Sequence, residues 1–271
     1  MEGPSLVLLV EQLKPFVKKK ILDAQGVAPV NLDGIASGSL KAAKSWGKHL
    51  LLVFDKTIVR IHFLMFGSYR INAKIERDPK LTLKFAEGTV NFYSCAVKEI
   101  SKEEFKAYDW TIDLMAKEWD EKIVVKRLRA QPDAMICDLL MDQEIFPGLG
   151  NIIKNEVMFL RRLQPEVRLK ELSNKEQLAL VRESRAYCFQ FYEWKKIDQL
   201  KRNWKIFRKR KCPECRAALS IRKTGFGQRV SFFCTECQLG TSLPLPEIKV
   251  KPSKPRQWIR TPRKPAHEER V

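Results

Sequence analysis

Asp142-Gln143-Glu144-Ile145-Phe146-Pro147-Gly148-Leu149-Gly150-Asn151 is the stretch on which the reading of the second half of the chain turns. From about Ile123 to Arg210 the apolar spacing is helical, and Pro132 and the Pro147–Gly150 segment are the breaks in it. The glycines on either side of Leu149 let a phosphate backbone approach closely. Asn151 then opens the next helix. It is a natural N-cap, and a helix start also offers unpaired N–H groups to a phosphate. Further on, residues 174–200 carry Leu178, Val181, Arg185, Cys188, Phe189 and Tyr192, mostly three or four apart, which predicts one long amphipathic helix.

Downstream of these helices, Cys212-Pro213-Glu214-Cys215 and Cys234-Thr235-Glu236-Cys237 form two C-x2-C knuckles separated by 18 residues. That spacing brings four thiolates to one point, and the set Cys212, Cys215, Cys234 and Cys237 predicts a single structural Zn2+ site. A catalytic zinc is not expected, because four cysteines leave no open coordination position. The intervening Leu219–Lys223 and Arg229–Phe233 suit the two strands of a hairpin. Arg208–Lys211, Arg216, Arg222, Lys223 and Arg229 crowd this ribbon with positive charge, either to grip phosphates or as a solvated basic face. Cys95, Cys137 and Cys188 lie in apolar patterns and read as small core residues.

Upstream the character changes. Leu50–Phe54, Thr57–Phe63, Leu81–Phe85 and Thr89–Tyr93 are short β-type runs, and Asp55-Lys56 and Glu87-Gly88 read as hairpin turns between them. A leading helix over residues 5–20 is predicted from Leu6, Leu9, Val10, Leu13, Phe16 and Val17, with Ser5 as its N-cap and Lys18–Lys20 at its end. The fold class is therefore α+β. The expected domains are an N-terminal antiparallel β-sandwich with its leading helix at 1–122, a helical domain at 123–210, the four-cysteine ribbon at 211–240 and a basic disordered tail at 241–271.

Lys and Arg outnumber Asp and Glu by 51 to 32, a net charge of +19 over 271 residues. The tail holds only eight of these cations against three glutamates, so most of the excess sits in the folded body. Such a surplus is unusual for an enzyme of small metabolites and implies a polyanionic partner. Nucleic acid, which gives up condensed counterions to Lys and Arg, is favoured over a membrane surface. No apolar run is long enough to span a bilayer. Seven cysteines, an odd number, without a secretory leader imply a reducing, cytoplasmic setting, and a monomer is expected.

Four segments in order resemble one family: Met1-Glu2-Gly3-Pro4-Ser5, Ser45-Trp46-Gly47-Lys48-His49-Leu50-Leu51-Leu52, Asp142–Asn151, and Gln228-Arg229-Val230-Ser231-Phe232-Phe233-Cys234-Thr235-Glu236-Cys237-Gln238. Together they resemble the formamidopyrimidine-DNA glycosylase/endonuclease VIII family. The resemblance implies a two-lobed clamp with a helix–two-turns–helix domain, closing on double-stranded DNA that carries a damaged base or an abasic site. The implied activity is base excision by a glycosylase with AP-lyase action. Chemistry at a base's sugar bond requires the nucleotide to leave the stack, and hence DNA that is bent and a gap that is filled.

The resemblance also assigns roles. The family nucleophile is the amine of an N-terminal proline exposed by loss of the initiator. Here Glu2 follows Met1, and Met1 takes the place of that proline, with a primary amine that still supports a Schiff base. Three outcomes are open: Met1 is the working nucleophile, the chain is a processed or inactivated variant, or it is a catalytically weak relative. Glu2 would supply protons, with Ser5 standing where family members often carry Glu. Lys48 would hold a phosphate and assist β-elimination, and Arg229 would assist δ-elimination. His62 and Asn151 would hold phosphates. Leu64, Met65 and Phe66 either fill the gap left by the extruded base or belong to the core. Only 61 positions separate Asn151 from Cys212, which leaves little room for a long lesion-capping loop and favours oxidised pyrimidines. The alternatives are a catalytically inactive binder of abasic or bent DNA, and an RNA- or ribosome-associated ribbon protein.

Overall fold

The computed structural model describes residues 1–239; the basic tail predicted for 241–271 lies outside the described residues. The elements in order are α1 (Gly3–Leu13), β1 (Ile21–Gln25), α2 (Leu32–Ala36), β2 (Leu40–Trp46), β3 (His49–Phe54), β4 (Ile58–Ile71), β5 (Leu81–Phe85), β6 (Gly88–Ile100), α3 (Lys102–Lys106), α4 (Glu121–Arg129), α5 (Ile136–Leu139), α6 (Asn151–Leu160), α7 (Asn174–Lys196), β7 (Ser220–Thr224) and β8 (Arg229–Phe233).

The first six strands form one antiparallel sheet in the order β1-β5-β6-β4-β3-β2. The sandwich expected from the sequence is thus built as a half-barrel, a single sheet curled over its own core. The pairing of β4 with β6 slips between Phe63 and Ser68, a bulge of the kind that bends a strand and lifts residues off the ladder. Leu50 and Leu52 of β3, Val59, Ile61 and Phe63 of β4 and Val90 and Phe92 of β6 face one core, against Leu6, Leu9 and Leu13 of α1. Leu51 points the other way and packs with Ile58 and Ile100 under Trp46, Tyr108 and Trp110. Both faces of β3 are therefore covered, which is why Leu50-Leu51-Leu52 does not alternate with polar residues. Each such buried leucine contributes about 1.5–3 kcal/mol.

The leading helix is shorter than its apolar spacing predicted. It ends at Leu13, and Lys14–Phe16 form a single 3-10 turn, because Pro15 supplies no N–H to continue the ladder. Lys18–Lys20 lie beyond it. Its N-cap is Glu2 and not Ser5: Glu2 has extended backbone, while Ser5 is buried in the first turn.

The helices α4 to α7 enclose a second core of Val124, Leu128, Phe146, Ile153, Val157, Leu180, Val181 and Phe191. Ser173 and Glu176 form a reciprocal capping box at the start of α7, fixing its N-terminus. The β7–β8 hairpin follows as predicted, and Phe159 at the end of α6 packs with Ile206, Cys212, Leu219 and Cys234 beneath it. Among the described residues no helix is long and apolar enough to cross a membrane.

Candidate active site

Three chain segments meet at backbone distance. The Gly3 N–H donates to the Gly148 carbonyl at 2.8 Å, and the Gly47 N–H at the tip of the β2–β3 hairpin donates to the buried Asp113 carboxylate at 2.9 Å. Gly148 has φ of +95°, and its Cα lies so near Gly3 and Gly47 that a side chain there would meet both backbones. The Gln143 side chain braces the same loop, its oxygen accepting from the Gly148 N–H at 3.1 Å and its amide donating to Leu149 O at 3.2 Å. The first turn of the chain, the Lys48 hairpin and the 147–150 loop are locked into one corner.

Glu2 is the pin of this corner. Its buried carboxylate accepts the Ile152 N–H at 2.7 Å and the Ile153 N–H at 3.3 Å, the first free donors of α6. A Cβ on Gly150 would overlap that carboxylate, so only glycine admits Glu2 to the helix start. Burial raises the Glu2 pKa, opposed by the Ile152 N–H, Lys48, the Ile153 N–H and the chain's own α-amine. The predicted phosphate site at the start of α6 is thereby changed. Two of its N–H donors are taken by an internal carboxylate, which stands where an anion would sit.

Positive groups crowd the same point. Burial lowers the pKa of the Met1 α-amine, Glu2 raises it, and Lys48 and Lys195 lower it further. Burial likewise lowers Lys48, with Glu2 opposing and Arg229 adding to the fall. His62 is lowered by burial and then by the α-amine and Lys48. Of the residues expected from the sequence, Met1, Glu2 and Lys48 thus act on one another electrostatically, His62 is acted on by the α-amine and Lys48, and Arg229 acts on Lys48. Lys195, in the last turn of α7, was not anticipated, because in sequence it is one more cation at a helix C-terminus. His49 was also missed. It packs edge-on to His62 with ring centroids 5.5 Å apart, its Nδ1 is 3.1 Å from the Tyr108 hydroxyl, and burial brings its pKa down to about 4.

Leu64, Met65 and Phe66 ride on the bulge in β4, with 53%, 80% and 77% of their surfaces exposed. Between the two roles left open by the sequence, core placement is excluded. Asn151 is the first residue of α6, after Gly150 as N-cap. Its amide donates to Val230 O at 3.0 Å, and its own side-chain oxygen is buried without a partner. The amide expected to donate to phosphate is thus committed to β8. Asn155 accepts the Phe232 N–H at 2.8 Å, and the buried Lys154 ammonium donates to Ser231 Oγ at 2.9 Å. One face of α6 is stitched to β8, which carries Arg229 at its first position.

The four knuckle sulfurs lie within 4.8 Å of one another. Cys212 Sγ is 3.8 Å from Cys237 Sγ, and Cys215 Sγ is 3.5 Å from Cys234 Sγ. Zn–S bonds of about 2.3 Å in a tetrahedron place sulfurs about 3.8 Å apart. The donor set and spacing fit a metal ion in a zinc-ribbon arrangement. Cys95, Cys137 and Cys188 are buried, as expected.

With this geometry in hand, the half-barrel, the helix–two-turns–helix and the four-cysteine cluster define the class of fold with which the chain is compared. The model of the formamidopyrimidine-DNA glycosylase H2TH domain matches residues 111–188. Endonuclease 8-like 3 of Mus musculus is 29% identical over 201 residues, which is 71% of this chain and 33% of that protein. Endonuclease 8-like 2 of Homo sapiens is 28% identical over 199 residues, 66% of this chain and 57% of that protein. Among solved structures, the Lactococcus lactis formamido-pyrimidine DNA glycosylase, non-covalently bound to DNA containing an AP site, superposes with a TM-score of 0.77 at 22% identity, covering 88% of this chain and 99% of that one. A viral DNA glycosylase gives 0.76 at 18% identity, covering 88% and 100%. Residues 111–188 thus match that H2TH domain, and the chain shares the fold of these glycosylase structures. It spans about a third of the length of the endonuclease 8-like 3 proteins it matches.

Proposed function

We propose that the chain is a base-excision glycosylase and AP lyase acting on oxidised bases in DNA, with pyrimidines favoured. The observation that carries this reading is the Glu2 carboxylate seated on the start of α6 beside the Met1 α-amine and Lys48. The neutral α-amine attacks C1′ of an extruded nucleotide. The C1′–N bond to the base breaks, the base leaves with a proton, and the ring oxygen takes a proton as the ring opens to a Schiff base. Removal of a 2′ proton then expels the 3′ phosphate, and water frees the amine. A carboxyl of raised pKa suits the proton transfers, and in this reading Glu2 makes them. Lys48 and Arg229 neutralise the phosphates that move, in the β and δ steps respectively, and His62 holds a third. Leu64, Met65 and Phe66 occupy the gap in the stack. Asn151 acts in this scheme by fixing the ribbon, and through it Arg229.

Cys212, Cys215, Cys234 and Cys237 hold a structural zinc in this reading. When bound, it cross-links the knuckles at the base of the β7–β8 hairpin and does no chemistry on DNA.

Duplexes carrying a single thymine glycol, an abasic site or intact thymine separate the outcomes. The reading expects base release and strand cleavage at the lesion, cleavage at the abasic site, and neither on intact DNA. Loss of all cleavage together with a retained preference for abasic duplex would favour the second reading, an inactive binder. That alternative draws on the absence of the family's proline beside Glu2.

A further inference from the structure

Phe226 is the most exposed large apolar residue among those described, with 87% of its surface free. It sits at the tip of the β7–β8 hairpin, between Gly225 and Gly227, and its mounting is firm. The Phe226 and Gly227 N–H groups both donate to the Asp138 carboxylate, at 2.9 and 3.0 Å, tying the tip to α5. The Gln228 amide donates to Gly225 O at 2.7 Å, closing the turn. Arg222 forms a bidentate pair with Glu166 at 2.9 and 2.5 Å, holding the outer strand to the helical domain. A ring held out on a braced turn gains nothing from the fold of the described residues. It is preorganised for a partner.

Charge decides which partner. The hairpin from Ser220 to Phe233 carries Arg222, Lys223 and Arg229; Glu166 takes up Arg222 and the Asp138 carboxylate is occupied by the tip N–H groups, which leaves Lys223 and Arg229 as the cations beside the ring. Arg229 is three residues from the ring and lowers the pKa of Lys48 through its charge. An aromatic face flanked by cations is the combination that binds an unstacked base beside its phosphates. We propose that Phe226 stacks on a nucleobase of the bound DNA, so that the ribbon tip supplies a second apolar contact from the lobe opposite Leu64-Met65-Phe66. This rests on the DNA-binding reading above.

The test uses the full chain and a duplex with a stable abasic analogue. 2-Aminopurine is placed singly along both strands, and binding is followed separately by anisotropy. With the wild type, one position outside the abasic gap should change fluorescence on binding. Phe226→Ala should abolish that change, leave the changes next to the gap in place, and weaken binding roughly 5- to 100-fold. Phe226→Trp should restore the signal. An unchanged fluorescence pattern in Phe226→Ala, with normal affinity, overturns the stacking and leaves the DNA reading intact. Failure of the wild type to bind the duplex at all overturns the DNA reading itself.

Discussion

Glu2 is a buried carboxylate whose partners are two backbone N–H groups of another domain, and Lys48 and the α-amine are its nearest cations in effect. Glu2→Gln keeps an acceptor for Ile152 but removes the titrating group. Base release should fall about 10²–10⁴-fold, the usual worth of a positioned acid–base group, with little change in DNA affinity. Single-turnover kinetics beside anisotropy would check this. The Met1 α-amine supplies a pH test with a defined sign. Burial and the nearby Lys48 and Lys195 lower its pKa from the ordinary α-amine value, so its neutral, nucleophilic form is more populated at a given pH than that of an exposed α-amine. Schiff-base formation should therefore rise with pH, with its midpoint below that of an exposed α-amine. Lys195→Met removes a nearby positive charge that disfavours the ammonium, so the midpoint should move upward. A midpoint unchanged in the variant would remove Lys195 from the site.

At the scale of elements, α6 does three jobs. Its N-terminus receives Glu2, one face holds β8 through Asn151, Lys154 and Asn155, and Glu156 holds the approach to the ribbon. The fully buried Glu156 carboxylate accepts the N–H groups of Lys205, Ile206 and Phe207 at 2.9, 3.0 and 2.8 Å. Glu156→Ala leaves three donors without that acceptor and should cost about 3 kcal/mol or more, read from urea unfolding. A loss under about 1 kcal/mol would show that water takes over the bonds.

The same helix shows how far the sequence could be read. Pro147-Gly148-Leu149-Gly150 announced the break and the helix after it, and the cysteine spacing announced the ribbon, because turn chemistry and metal geometry are local. The β-runs announced the sheet but not that it is continuous, since the Phe63/Ser68 slip is a property of pairing with β6. Leu64-Met65-Phe66 carry the same apolar signal whether buried or exposed, and only tertiary placement decides between them. Glu156 and Lys195 had no local signature at all: their roles arise from chain 49 to 51 residues away in one case and from the far N-terminus in the other.

At the scale of the whole molecule, the described residues carry +14 of the net +19, the 241–271 segment holding the other +5, and their backbones meet at the Gly3–Gly47–Gly148 corner. Binding that neutralises phosphates must weaken with salt, linearly in log Kd against log salt. Arg229→Ala should reduce that slope by about one ion and weaken binding evenly across sequences. A slope unchanged within error would place Arg229 off the phosphate path.

The central claim is that the chain's first nitrogen is the nucleophile. Borohydride reduction of the full-length protein with abasic DNA, followed by peptide mass mapping, tests it most directly. The account predicts one stable cross-link on the α-amine of the peptide beginning at Met1, in a protein whose intact mass includes that methionine. A cross-link on a lysine side chain, or none while the abasic duplex is bound, would contradict it.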